Sequence, residues 1–218
     1  MKLLVATHNE GKLRELEQIF QDMGLELSSL DDMGITWDVA ETGATFDANA
    51  RLKAETYGAA TGLATLADDS GLEVDALGGA PGVYSARYGV PAGGSSPDLR
   101  AAVPALTSEQ RYELVLEKLR GVPPERRTAR FYCVIALAVP GKPTLTFDGE
   151  VSGVIASEPR GEGGFGYDPV FWLPEYGRTM AELPAETKNR ISHRARAAEK
   201  LRRTDALGEA DRGCMAEG

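Results

Sequence analysis

Lys2-Leu3-Leu4-Val5-Ala6-Thr7-His8-Asn9-Glu10-Gly11-Lys12-Leu13 opens the chain with an apolar run, a polar turn and the start of a periodic segment. The run Lys2 to Ala6 reads as a buried strand. Leu13, Leu16, Ile19, Phe20 and Met23 then recur at helical spacing, with Gly24 as a C-terminal cap. A strand that feeds straight into an amphipathic helix predicts an α/β fold.

Outward from this start, Phe46, Ala50, Ala54 and Tyr57 define one face of a helix over about 45–60. Leu63 to Ala67 is a short apolar strand that runs into Asp68-Asp69-Ser70-Gly71, and Gly71 to Ser85 reads as a hairpin turned around Gly78-Gly79. Thr107-Ser108-Glu109-Gln110 has the pattern of a capping box ahead of Tyr112, Val115, Leu116 and Leu119. Arg130 to Val139 and Thr144 to Ile155 are strands joined by Pro140-Gly141-Lys142-Pro143, and a last helix covers Ala185 to Arg203 with Ile191, Ala195, Ala198 and Leu201 inward. Antiparallel pairs of this length break the alternation of a doubly wound sheet, so a mixed β-sheet with flanking helices is expected. Residues 1–203 read as one domain and 204–218 as a frayed tail. The Gly, Ser and Pro of Pro91 to Pro104 mark a mobile loop.

With 218 residues, 42% hydrophobic and 26% charged, the chain has the composition of an ordinary globular protein. A formal net charge of −9 argues against generic nucleic-acid binding, which rests on Lys and Arg neutralising phosphates. A phosphate ligand would therefore need its positive charge concentrated locally. Cys133 lies in an apolar run and Cys214 in the polar tail, without a CxxC spacing that would indicate zinc or redox chemistry. The apolar stretch at the N-terminus is too short for a signal-peptide core, and no run reaches the roughly 18 residues of a membrane span. An intracellular, cytoplasmic protein without a membrane partner is expected.

Chemistry concentrates at a few places. Asp68 and Asp69 end an apolar strand, where alternation directs the two side chains to opposite faces. Carboxylates so placed suit Mg²⁺, although an isolated Asp-Asp-Ser-Gly also fits a turn with side-chain bonding. Glu41 precedes the helix carrying Lys53; it suits a second metal carboxylate or a helix-dipole partner. The turn Thr7-His8-Asn9-Glu10-Gly11-Lys12 offers backbone N–H groups, a helix N-terminus and a lysine to an anion. Gly161-Glu162-Gly163-Gly164-Phe165-Gly166 matches G-x-G-x-x-G, but it runs into Tyr167-Asp168-Pro169 rather than a helix, so a dinucleotide-binding reading fails. That loop, with Phe165 and Tyr167 among glycines, suits either a flat base or a turn with core aromatics. Lys188, Ser192, His193 and Arg194 form a last polar cluster, or one charged helix face.

Taken together, these segments resemble the Ham1/inosine triphosphate pyrophosphatase family. The matching motifs are Thr7 to Lys12 (T-x-N-x-x-K), Glu41-Thr42-Gly43 with Phe46, Asn49 and Lys53-Ala54, and Ala67-Asp68-Asp69-Ser70-Gly71-Leu72. Gly79 to Tyr88, Gly164 to Pro169, and Lys188 with Ile191-Ser192-His193-Arg194 follow in family order. His8 stands at a variable position, and Pro91 to Pro104 has no motif to match. The resemblance implies an elongated two-lobed ITPase-like fold around a central cleft, working as a homodimer. It also implies Mg²⁺-dependent hydrolysis of dITP, ITP and XTP to the monophosphate and pyrophosphate. Carried over by position, Asp69 is the general base, and Glu41 and Asp69 hold Mg²⁺. Thr7, His8, Asn9, Glu10, Gly11, Lys12 and Lys53 line the phosphate side, with Ser70 also touching substrate. Phe165, Gly166, Tyr167, Asp168, Lys188, His193 and Arg194 hold the base and sugar.

The same roles predict selectivity. Backbone donors in the Phe165–Asp168 loop suit a 6-oxo group and face donor against donor with a 6-amino group, a mismatch that can discriminate by on the order of 10⁴. Rejection of guanine then falls to the 2-position, through His193 or Arg194. Two other readings compete: a Maf-like pyrophosphatase, whose serine-rich N-terminal signature is not seen, and a non-catalytic nucleotide sensor, which would not need Asp69.

Overall fold

The computed structural model describes residues 2–90 and 106–208. The expectation of a mobile loop at Pro91 to Pro104 therefore lies outside the described residues, as do residues 209–218 and Cys214.

The first strand, β1 (Lys2–Val5), leads through the polar turn into helix α1 (Glu10–Phe20). A 3-10 turn over Gln21–Met23 and Gly24, at φ +62°, close that helix as anticipated. Next come β2 (Glu26–Ser29), α2 (Phe46–Thr61) and β3 (Ala64–Val74). The remaining elements are α3 (Ser108–Lys118), β4 (Thr128–Ala138), β5 (Leu145–Ile155), β6 (Phe171–Leu173), β7 (Arg178–Thr179), α4 (Ala185–Ile191) and α5 (His193–Arg202). The strands form one sheet in the order β2-β1-β3-β4-β5-β6-β7. β1 pairs parallel with β2 and β3, whereas β6 pairs antiparallel with β5 and β7. The sheet is thus mixed, as the interrupted alternation implied.

The chain divides into two compact units. Unit 1 comprises residues 1–70, 132–151 and 189–218; unit 2 comprises 71–131 and 152–188. The core of unit 1 is built by Leu3 and Val5 of β1, Leu16 and Phe20 of α1, Leu66 of β3 and Ile135 of β4, with Ala198 and Leu201 of α5. Leu207 is buried in the same core, so packed chain extends past residue 203, where fraying was expected to begin. Within unit 2, Phe131 and Phe171 meet with ring centroids 4.3 Å apart, and Leu72, Val74 and Val170 are fully buried.

Three expectations need correction. β3 does not stop at Ala67 but continues through Asp68 to Val74, so the acidic pair lies within the strand. The segment to Ser85 is not a full hairpin: one bridge joins Glu73 to Pro81, and the return arm is a 3-10 helix over Gly82–Arg87. The last helix is two helices. Ser192 breaks it by leaving helical geometry (ψ 157°) and accepting the Ala195 N–H with its hydroxyl, at 3.2 Å. A serine in an otherwise helical run can always compete for backbone donors in this way.

Candidate functional site

In unit 1, charged side chains gather around β3. Burial of Asp68 and Asp69, 1% and 4% exposed, follows from their place within the strand. Strand alternation gives them different partners.

Asp68 accepts from both sides through Oδ2. Lys12 Nζ lies 3.1 Å away, Arg194 donates at 3.0 and 3.2 Å, and the Ser70 hydroxyl donates at 3.0 Å. Burial alone would raise its pKa, but Lys12, Arg194 and Lys53 outweigh it and hold the carboxyl well below the usual range. Arg194, 1% exposed, also pairs with Glu15 and donates to Ser70 Oγ at 2.9 Å. Burial works against its charge, and the two carboxylates more than restore it, raising its pKa.

Asp69 has a softer setting. Asn49, fully buried on α2, donates to its Oδ2 at 3.0 Å, while Asn49 Oδ1 accepts the Gly43 N–H at 2.8 Å. Lys53 Nζ lies 3.8 Å from Asp69 and 2.7 Å from Glu41. Burial raises the Asp69 pKa; Lys53, Lys12 and Asn49 pull it down and Glu41 pushes it up, with a net rise. Lys53, whose charge burial opposes, is kept protonated by Asp69, Glu41 and Asp68.

The polar turn is organised by its own side chains. Asn9 caps α1, its Oδ1 accepting the Lys12 N–H at 3.1 Å, and Thr7 Oγ1 accepts the Asn9 N–H at 3.2 Å. Gly11 is buried, Glu10 is exposed and pairs with Arg14 at 3.1 Å, and His8 points to the 31–38 segment.

Unit 2 holds the second cluster. Lys188, 6% exposed, donates to Asp168 Oδ2 at 2.5 Å, and its ammonium lies 4.8 Å from the Phe165 ring centroid. The same oxygen accepts the Phe165 N–H at 2.8 Å. That donor is therefore engaged by Asp168, leaving Gly166 and Tyr167 as the N–H groups this loop can turn to a ligand. The Tyr167 hydroxyl donates to the Ser85 carbonyl at 2.8 Å and anchors the loop.

The predicted residues thus fall into two sets. Thr7 to Lys12, Glu41, Lys53, Asp69 and Ser70 gather in unit 1 together with buried His193 and Arg194, whereas Phe165 to Asp168 and Lys188 gather in unit 2. The resemblance groups Arg194 with the base-binding loop, but its donors meet Asp68, Glu15 and Ser70. Sequence reasoning passed over Glu15, and it named Asn49 among the motif residues without giving it a role. Glu15 lies on α1 beside inward-facing Leu16 and Ile19, and a charge on that face was a signal. Asn49, a polar residue one position from buried Ala50, was another.

Among the described residues, no group of three or more His, Cys, Asp or Glu forms a metal cage, and no helix is long and apolar enough to cross a membrane.

Comparison with known proteins identifies the family. The Ham1 family pattern matches residues 3–204. A dITP/XTP pyrophosphatase of Geobacillus kaustophilus is 52% identical over 200 residues, covering 92% of each chain. One from Bacillus subtilis is 48% identical over 198 residues, 91% of this chain and 93% of that protein. The Staphylococcus aureus Ham1 protein structure superimposes with a TM-score of 0.77 at 39% identity, covering 97% of this chain and all of that one. This is an α/β protein with a mixed sheet and a buried carboxylate–cation cluster on its third strand. The chain belongs to the Ham1 family.

Proposed function

We propose that this chain is a nucleoside-triphosphate pyrophosphatase that hydrolyses dITP, ITP and XTP: water plus the triphosphate gives the nucleoside monophosphate and pyrophosphate. The observation that carries this reading is Asp69, a buried carboxyl with a raised pKa, held by Asn49 and next to Lys53. Asp69 orients the attacking water and takes its proton as the bond to the α-phosphorus forms. Lys12 and Lys53 offset charge on the phosphates. Asp68 and Arg194 touch no reacting atom in this scheme; they hold Lys12 and Ser70 in place.

Mg²⁺ is the proposed cofactor. Glu41 and Asp69 both reach Lys53, and each carboxylate disfavours the other's charge, a pairing that a divalent cation relieves. Mg²⁺ commonly takes one or two protein carboxylates and completes its shell with water and phosphate oxygens, so two acids without a closed cage fit it. When bound it would supply Lewis-acid stabilisation of phosphate charge.

At the base end, the N–H groups of Gly166 and Tyr167 and the Lys188 ammonium are assigned to the 6-oxo group. We place the enzyme in the cytoplasm as a homodimer, without nucleic-acid or membrane partners.

The test is product analysis with Mg²⁺ against dITP, XTP, ITP, GTP and dATP, scoring pyrophosphate separately from single phosphate. Pyrophosphate from the first three and little from the last two is expected. Release of single phosphate would make the chain a phosphatase instead, and absence of turnover would leave a nucleotide-binding sensor.

A further inference from the structure

His8 interrupts the phosphate-side turn with an imidazole that looks away from it. Its Nε2 lies 3.3 Å from the Trp37 carbonyl; since a carbonyl only accepts, Nε2 carries the proton and donates. Two carboxylates flank the ring: Asp31 lies 3.8 Å from Nδ1 and Asp38 3.7 Å from Nε2. The segment it meets has little regular structure, because residues 35–43 form neither helix nor strand.

That segment is also tied to α2. The Trp37 ring stacks on Tyr57 of α2, with centroids 4.8 Å apart. The Tyr57 hydroxyl donates to the same Trp37 carbonyl at 3.0 Å and accepts the Val39 N–H at 3.3 Å. Two residues beyond Val39 stands Glu41, whose partner Lys53 lies on α2, the helix that carries Tyr57. The Trp37 carbonyl is therefore a shared acceptor, bonded from α2 by Tyr57 and from the turn by His8. An irregular segment held by few bonds opens locally at low cost, so each of these two donors has leverage on where Glu41 rests.

We propose that His8 is a positioning residue that fastens the Trp37–Glu41 segment to the phosphate-side turn. Through that tie it sets Glu41 in register with the Thr7–Lys12 turn, so that substrate meets a preformed site. The structural tie stands by itself; its effect on substrate rests on the function proposed above.

The test pairs His8→Ala with Tyr57→Phe, which removes the second donor and leaves the ring stack. Amide hydrogen exchange of the ligand-free protein is read over residues 36–41. His8→Ala should speed exchange there by about five- to tenfold, the change expected on losing one ordinary hydrogen bond, and Tyr57→Phe, which also loses the acceptor of the Val39 N–H, by at least as much, with the rest of unit 1 unchanged. Steady-state kinetics on dITP should then show KM raised about fivefold in His8→Ala with kcat within about twofold, the pattern of lost preorganisation. Unchanged exchange in His8→Ala overturns the proposal. So does a fall in kcat at constant KM, which would place His8 at the reacting atoms. If the unaltered protein turns over no nucleotide while exchange responds as expected, the functional reading fails and the tie survives.

Discussion

The two clusters are built on opposite principles. In unit 1, Lys12, Glu15, Lys53, Asp68, Asp69 and Arg194 come from α1, α2, β3 and α5, and what holds them is mutual charge in a buried setting. In unit 2, Gly164 to Asp168 is one short stretch of backbone, wrapped on its own Asp168 carboxylate and closed by Lys188. The first cluster is organised by electrostatics among distant segments, the second by local backbone shape. Removing a charge should therefore reverberate through the first, while adding a single carbon should be enough to damage the second.

Within the charged cluster, adjacent acids should fail differently. Asp69 has a raised pKa, so at neutral pH the fold works against its charge, and that strain is relieved as pH falls through the folded value and is gone below the ordinary carboxylate value of about 3.9. Asp69→Asn keeps an acceptor for Asn49 and leaves Glu41 on Lys53. It should fold normally and lose about 10³-fold in kcat, the usual share of a general base. Circular dichroism and melting together with turnover check this; near-normal turnover would take Asp69 out of the mechanism.

Asp68 inverts the pattern. Its folded pKa is depressed, so its stabilisation is fully present above the ordinary carboxylate value of about 3.9 and is lost only as pH falls through the folded value, below that. Asp68→Asn strands Lys12 and half of Arg194's pairing in a buried place. Breaking buried pairs costs about 3–5 kcal/mol, and the low end applies because Glu15 remains on Arg194. Urea unfolding at pH 7 should show a loss of about 3 kcal/mol, a gap that closes only below about pH 4. A variant as stable as the parent at pH 7 would mean that the cluster is not held by charge.

This contrast also explains what the sequence disclosed. The α/β start, the capping box at Thr107 and Gln110, and the long strands β4 and β5 were legible because periodicity and caps are local signals. β2, β6 and β7, with four, three and two residues, are too short to carry a period. The Asp168–Lys188 pair spans 20 positions and the Asp68–Arg194 pair 126, and pairing at such separations leaves no trace in spacing. Motif order proposed which residues matter. Only three-dimensional placement showed that Arg194 serves Asp68, and that the Phe165 N–H is already occupied.

The shape-built cluster offers a sharper experiment, because two of its glycines share a backbone region and differ in space. Gly164 and Gly166 have φ of +72° and +65°, a left-handed conformation that costs an L-residue about 1–2 kcal/mol. A Cβ on Gly166 would meet nothing within 4 Å, whereas one on Gly164 would lie 2.0 Å from Asp168 Oδ2 and 2.9 Å from Lys188 Nζ. Gly166→Ala should cost only the conformational term, about 1 kcal/mol, with nucleotide preference intact. Gly164→Ala should cost about 2 kcal/mol or more, since the overpacked carboxylate must move and release both Lys188 and the Phe165 N–H. With the base-end donors displaced, the dITP-over-dATP preference should fall in Gly164→Ala and not in Gly166→Ala. Equal preference in the two variants would mean that the Asp168–Lys188 geometry has no part in reading the base.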